Sequence, residues 1–225
     1  MRRKILLLVL VLGLVTAAYP TGLQTGFRAW GGLALGRYQG LPVPVGIPEL
    51  RYQNAYRTGL GLGAGLELKV PRVPLSLILG LGYLQKGTEL EIYYLDTKTG
   101  SYFYRLGTLS QTGLVKIGPN MKIAPYLLAG YELAFILNHR GQSFGSSPGG
   151  PDSDLRPDTK KMDLGLVAGA GLEFRLDKVS PFVEFCYFHG LSNLSRATGT
   201  LEYYSTIKSR TLLLSAGLKF SLKKT

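Results

Sequence analysis

The stretch Leu60-Gly61-Leu62-Gly63-Ala64-Gly65-Leu66-Glu67-Leu68-Lys69-Val70 alternates in character at every step. Side chains of a β-strand point to opposite faces in turn, so the even positions share one face and the odd positions the other. One face is wholly aliphatic. The other carries Gly61, Gly63 and Gly65 before Glu67 and Lys69. This second face decides the fold. It is too small and too sparse in charge to coat a soluble surface. It suits the narrow interior of a small closed barrel whose leucines face lipid. A soluble barrel of the lipocalin kind, apolar inside and polar outside, shows the same alternation and is the alternative weighed against it.

Working outward, the pattern recurs. Leu164, Leu166, Ala168, Ala170, Leu172 and Phe174 alternate with glycines, Val167, Glu173 and Arg175. Leu212, Leu214, Ala216, Leu218, Phe220 and Leu222 do the same near the C-terminal end. In all, eight segments read as strands: 24–37, 58–70, 75–94, 102–117, 122–137, 162–176, 180–191 and 209–222. Most reach the roughly 9–11 residues that a tilted strand needs to cross a bilayer. Pro71–Pro74, Gly118–Asn120 and Asp177–Val179 are tight turns. The other connections are long: 38–57, a hairpin tip around Asp96–Gly100, 138–161 and 192–208. Short turns at one end and long loops at the other, with an even strand number, predict an all-β, eight-stranded antiparallel up-and-down transmembrane barrel of the outer-membrane type. Gly141–Asp158, rich in Gly, Ser, Pro and Asp, reads as a mobile surface loop. Phe27, Phe174 and Phe220 fall toward the short-turn end, and Tyr83, Phe135 and Tyr187 toward the long-loop end, as two interfacial girdles would.

The N-terminal segment explains the destination. Arg2, Arg3 and Lys4 precede an apolar run from Ile5 to Val15, and Thr16-Ala17-Ala18 supplies small residues before Tyr19. This is the pattern of a secretory signal peptide over 1–18, leaving a barrel domain over 19–225. The lone cysteine, Cys186, rules out an intrachain disulfide, and the histidines His139 and His189 offer no metal-ligand spacing. The formal charge is +12, of which the signal segment carries three. An exported barrel makes nucleic acid an improbable reason for that excess.

Several motifs resemble the PorT-like family of outer-membrane β-barrel proteins. They are Leu84-Gln85-Lys86-Gly87, Pro125-Tyr126-Leu127-Leu128-Ala129-Gly130, Gly165–Phe174 (GLVAGAGLEF), Gly190-Leu191-Ser192-Asn193 and Ser215–Phe220 (SAGLKF). The resemblance runs from about residue 24 to 222 and rests on the order and spacing of these motifs. It implies an eight-stranded barrel without catalytic residues, in a family of which one branch is linked to protein secretion. The chain departs from the family at Leu109–Gly113, where members often carry an acidic-apolar-proline start, and in the five residues that follow Phe220.

The candidate functional residues are charges. Arg28, Glu132, Glu184 and Lys219 fall on the interior parity, with Glu67, Lys69, Glu173 and Arg175 near the rim. Charges in a narrow lumen must pair or stay hydrated. Glu184 is expected to pair with Arg28 or Lys219, because the first, seventh and eighth strands are neighbours once the barrel closes. Phe182 and Tyr126 are expected to help fill the lumen. The short-turn side gathers Lys69, Arg72, Lys116, Lys122, Arg175, Lys178, Lys219, Lys223 and Lys224 against few carboxylates. It predicts a periplasmic basic face centred on Arg72, Lys178, Lys223 and Lys224, facing anionic headgroups. His189, Ser192 and Asn193 invite comparison with a lipid A deacylase, but residues i and i+3 of a strand point oppositely. The expectation is a non-catalytic barrel without cofactor or metal. Its role is structural, surface-binding or within an envelope complex, and its partners are outer-membrane lipids and a possible envelope or secretion-complex protein. A narrow solute or proton channel is the alternative, and a lipid A-modifying enzyme is the third reading.

Overall fold

The computed structural model describes residues 24–40, 49–71, 73–145, 152–176, 178–196 and 206–222. The proposed signal peptide lies outside the described residues. The strands are β1 (Gln24–Gln39), β2 (Leu50–Ala55), β3 (Arg57–Lys69), β4 (Leu75–Tyr94), β5 (Thr97–Ile117), β6 (Ile123–Gly145), β7 (Ser153–Asp154), β8 (Met162–Phe174), β9 (Val179–Gly190) and β10 (Lys208–Leu222). Eight of them close a ring in the order β1-β3-β4-β5-β6-β8-β9-β10, every neighbour antiparallel. The seam between β1 and β10 is paired from Thr25↔Leu222 to Gln39↔Lys208. Closure gives the backbone N–H and C=O groups partners along the ring, the condition for irregularity-free passage through lipid.

The ring turns its aliphatic face outward. Leu60 is 58% exposed and Leu62 60%, while inward-facing Leu84 is 2% exposed. Phe27 stands opposite Phe220 at the short-turn end, and both are exposed. Phe135 and Tyr187 are exposed toward the other end. The inward glycines have a specific purpose. A Cβ on Gly63 would lie 2.6 Å from Cζ2 of Trp30, whose indole occupies the space the glycines leave.

The strands outrun the sequence expectation on the long-loop side. Within the supposed loop 38–57, β2 pairs with β4 from Leu50↔Tyr94 to Ala55↔Glu89. Within the supposed mobile loop, Gly141–Gly145 continue β6 against β5, and Ser153–Asp154 pair back onto β6. Polar, glycine-rich composition reads as loop in a single sequence, but an adjacent strand that already extends this far offers its backbone as a partner. The hairpin tip is also tighter than expected. It turns at Leu95 and Asp96, both left-handed (φ 47° and 63°), and β5 begins at Thr97. Left-handed conformation disfavours residues with a Cβ by about 1–2 kcal/mol each, and this two-residue turn normally takes Asn-Gly. Leu95→Asn with Asp96→Gly is therefore expected to slow amide exchange of the tip strands about fivefold or more. Faster exchange in that variant would contradict the turn assignment.

Candidate functional site

The inward parity of eight strands delivers polar side chains to three levels of the lumen. At the short-turn level, Arg28 of β1 donates from Nη2 to Glu184 Oε1 of β9 at 2.5 Å. The hydroxyl of Tyr126 donates to the same oxygen at 2.8 Å. The guanidinium lies 4.0 Å over the ring of Phe182, and its Nε is 3.7 Å from Glu67. Beside this pair, Lys116 of β5 donates to both oxygens of Glu67, at 3.1 and 3.3 Å, and to Glu173. Lys219 of β10 also donates to Glu173 and reaches Glu67 at 3.5 Å. Three cations, Arg28, Lys116 and Lys219, thus meet three carboxylates, Glu67, Glu173 and Glu184, all of them buried. Desolvation of each charge is costly, and mutual pairing is what makes the cluster tolerable.

An apolar layer follows, built from Ile78, Leu114, Cys186, Phe188 and Leu213 with Trp30 packed against it. Above it, Lys86 of β4 is 2.6 Å from Glu132 Oε2, and Ser110 donates to Oε1 at 2.6 Å. Asp163 accepts from Ser209 at 2.7 Å nearby. Toward the long-loop end Tyr38, Leu106 and Leu194 form a second buried apolar cluster. There His139 Nδ1 is 2.7 Å from the hydroxyl of Thr159, which ties the β7–β8 connection to the barrel. Outside the membrane, Arg156 hydrogen bonds hold the Asp154 carboxyl down at about 2.

Small voids separate these levels. One of about 50 Å³ is bordered by Arg28, Glu184, Thr112 and Trp30. A second of about 20 Å³ is bordered by Trp30, Thr112, Ser110 and Phe188. On this measure a cavity of about 10–15 Å³ holds one water, so both have room for water.

The structure places Glu184 against Arg28. Lys219, the other partner considered, meets Glu67 and Glu173 instead. Glu132 meets Lys86, a residue that sequence reasoning did not single out. Lys116 is corrected from the periplasmic face to the lumen, where it is 2% exposed. The same holds for the charge balance of the short-turn end. Lys116, Lys219 and Arg175 are drawn to Glu67 and Glu173, and Lys69 bonds Asn120. The available signal was parity: Lys116 shares its face with Ser110, and Lys86 shares its face with Ser76. Of the expected basic patch, Lys178 is exposed, while Arg72, Lys223 and Lys224 lie outside the described residues. At the place weighed for a deacylase, His189 stands edge-on to Tyr187 at 6.0 Å. Ser192 accepts from the backbone N–H of Leu164 at 3.0 Å, and Asn193 accepts from those of Ser195 and Ile207.

The sequence over residues 22–196 matches the family model of the outer membrane protein beta-barrel domain. The chain belongs to that family. It is an outer-membrane barrel, and β10, beyond the matched region, closes the ring. No curated protein sequence matches it. Among solved structures, OprG, an outer membrane protein from Pseudomonas aeruginosa, is 12% identical with a TM-score of 0.50, over 89% of this chain and 97% of that one. The outer membrane protease OmpT from Escherichia coli is 12% identical with a TM-score of 0.50, over 91% and 98%. Neisserial surface protein A is 16% identical with a TM-score of 0.45, over 86% and 96%. At these identities the likeness to OprG and OmpT is one of fold.

Proposed function

We propose that this outer-membrane barrel is a non-conducting, non-catalytic scaffold that holds a sheet above the outer leaflet for contact with a surface or envelope partner. The observation that carries the reading is the filled lumen. Two ion clusters and an apolar layer stand in series between its ends, and eight strands leave an interior only wide enough for side chains. Above the membrane, β4, β5 and β6 continue with β2 and β7 added at their edges. The resemblance to PorT-like proteins adds a secretion complex as one kind of envelope partner. Exposed Lys178, with Arg72, Lys223 and Lys224, is proposed to face anionic headgroups on the periplasmic side.

The test is planar-bilayer recording of the folded barrel. No stable steps are expected, and conductance at the level of a general porin would overturn the proposal. The two small voids favour a second reading, a path for protons alone, because Thr112 borders both. Proton entry into vesicles that exceeds that of protein-free vesicles, and that falls in Thr112→Val, would favour the path over the inert scaffold.

A further inference from the structure

The lipid-facing surface carries a strip of fixed positive charge at its outer edge. The outward residues of β1 run Phe27, Ala29, Gly31, Leu33 and Leu35, and then Arg37. That apolar run covers about 26 Å of strand, enough once tilted for most of the ~25 Å apolar band of such barrels. In the last apolar row, Leu35 stands opposite Leu212, which stands opposite Tyr187. In the next row, Arg37 stands opposite Arg210, which stands opposite His189. Lys208 follows on the same face of β10.

Like charges directly opposite each other in a sheet repel. Nothing among the described residues relieves the repulsion: no carboxylate bonds to Arg37, Arg210 or Lys208. Their contacts position them without neutralising them. Arg37 lies over the ring of Tyr56 at 5.1 Å. Arg210 donates to the carbonyl of Gly190 at 2.8 Å and to Gln39 at 2.7 Å. Elsewhere on this side Arg51 pairs with Asp96 and Arg140 with Asp152. The unpaired row therefore sits where the hydrocarbon belt ends and the headgroups of the outer leaflet begin.

We propose that Arg37 and Arg210, flanked by Lys208 and His189, bind the phosphate of a phosphorylated glycolipid in the outer leaflet. Guanidinium groups match phosphate oxygens in a two-point geometry, and a phosphate between two arginines converts their repulsion into attraction. Acyl chains then lie along Leu33, Leu35, Leu212 and Leu214, all on the same lipid-facing surface.

The experiment measures binding of bis-phosphorylated lipid A to the full folded barrel in neutral detergent, for the native chain and for Arg37→Gln/Arg210→Gln. Dephosphorylated lipid A, phosphatidylglycerol and inorganic phosphate are the comparison probes. The double variant is expected to bind the phosphorylated lipid on the order of tenfold more weakly at low salt. Its binding of the dephosphorylated lipid should be unchanged. Without lipid it should resist urea as well as the native chain or better, because the repulsion is gone. Arg51→Gln/Arg140→Gln should leave binding intact. Unchanged affinity in the Arg37/Arg210 variant would overturn the site. An equal loss toward phosphatidylglycerol would reduce it to general charge attraction and overturn it too, as would full competition by inorganic phosphate. Failure of the double variant to fold would count against a repelling pair, and Arg37→Gln alone would then have to show the same selective loss for the site to stand.

Discussion

Glu173→Ala is expected to destabilise the barrel by about 3–5 kcal/mol. Glu173 is fully buried and takes hydrogen bonds from Lys116 and Lys219, with Arg175 Nε at 3.3 Å. Its removal leaves Glu67 as the nearest anion for both lysines. Two buried ammonium groups would then share one carboxylate, and one must be hydrated or move. The loss is read as a lower urea midpoint for the folded barrel, with the fluorescence of Trp30, the single tryptophan, as the signal. Replacing four residues together, Glu173→Leu and Glu67→Leu with Lys116→Met and Lys219→Met, leaves Arg28 paired with Glu184 and is expected to cost far less. Buried ion networks exchanged whole for apolar side chains of similar volume are often neutral or stabilising. A Glu173→Ala barrel within ~0.5 kcal/mol of the native one, as for an ordinary surface substitution, would mean that the cluster is hydrated.

Arg28 and Glu184 are expected to be coupled by roughly 1–3 kcal/mol. Glu184→Leu strands Arg28 with the Phe182 ring and a 3.7 Å approach to Glu67. Arg28→Leu strands Glu184 with, among the described residues, only the Tyr126 hydroxyl. Each single change therefore leaves a buried charge short of a partner, while the double change leaves neither. Its cost should fall well below the sum of the singles. Glu184→Ala set against Glu184→Leu separates the lost charge from the lost volume. Additive losses would show that the two side chains do not act as a pair.

The interior parity of Arg28, Glu132, Glu184 and Lys219 was legible because strand alternation is local and strong in their neighbours. Ala216, Leu218 and Phe220 define the outer face of β10, so Lys219 must turn in. The fifth strand was harder to read. Leu114, Val115 and Ile117 are all apolar, so both faces look alike, and the sequence alone counts Lys116 with the cations of the periplasmic side. Lys86 was missed for a related reason. It sits in a stretch where Gln85, Lys86 and Thr88 blur the alternation, near Gly87, whose positive φ of 155° marks an irregular backbone.

By itself, the sequence determined the strand class, the lipid-facing side of the strands that alternate cleanly, and the short-turn and long-loop ends. Each follows from a side-chain period of two and from turn residues a few positions apart. Only the tertiary structure decided which inward charges meet. Arg28 reaches Glu184 across the closing seam, past β10, and Lys116 joins Glu67 and Glu173 from strands that are not its hydrogen-bonded neighbours. It also decided how far β4, β5 and β6 continue beyond the membrane, and that Arg37 stands beside Arg210. These depend on the stagger of strands around a closed ring. That stagger is set by the packing of all eight together and leaves no mark on any one segment.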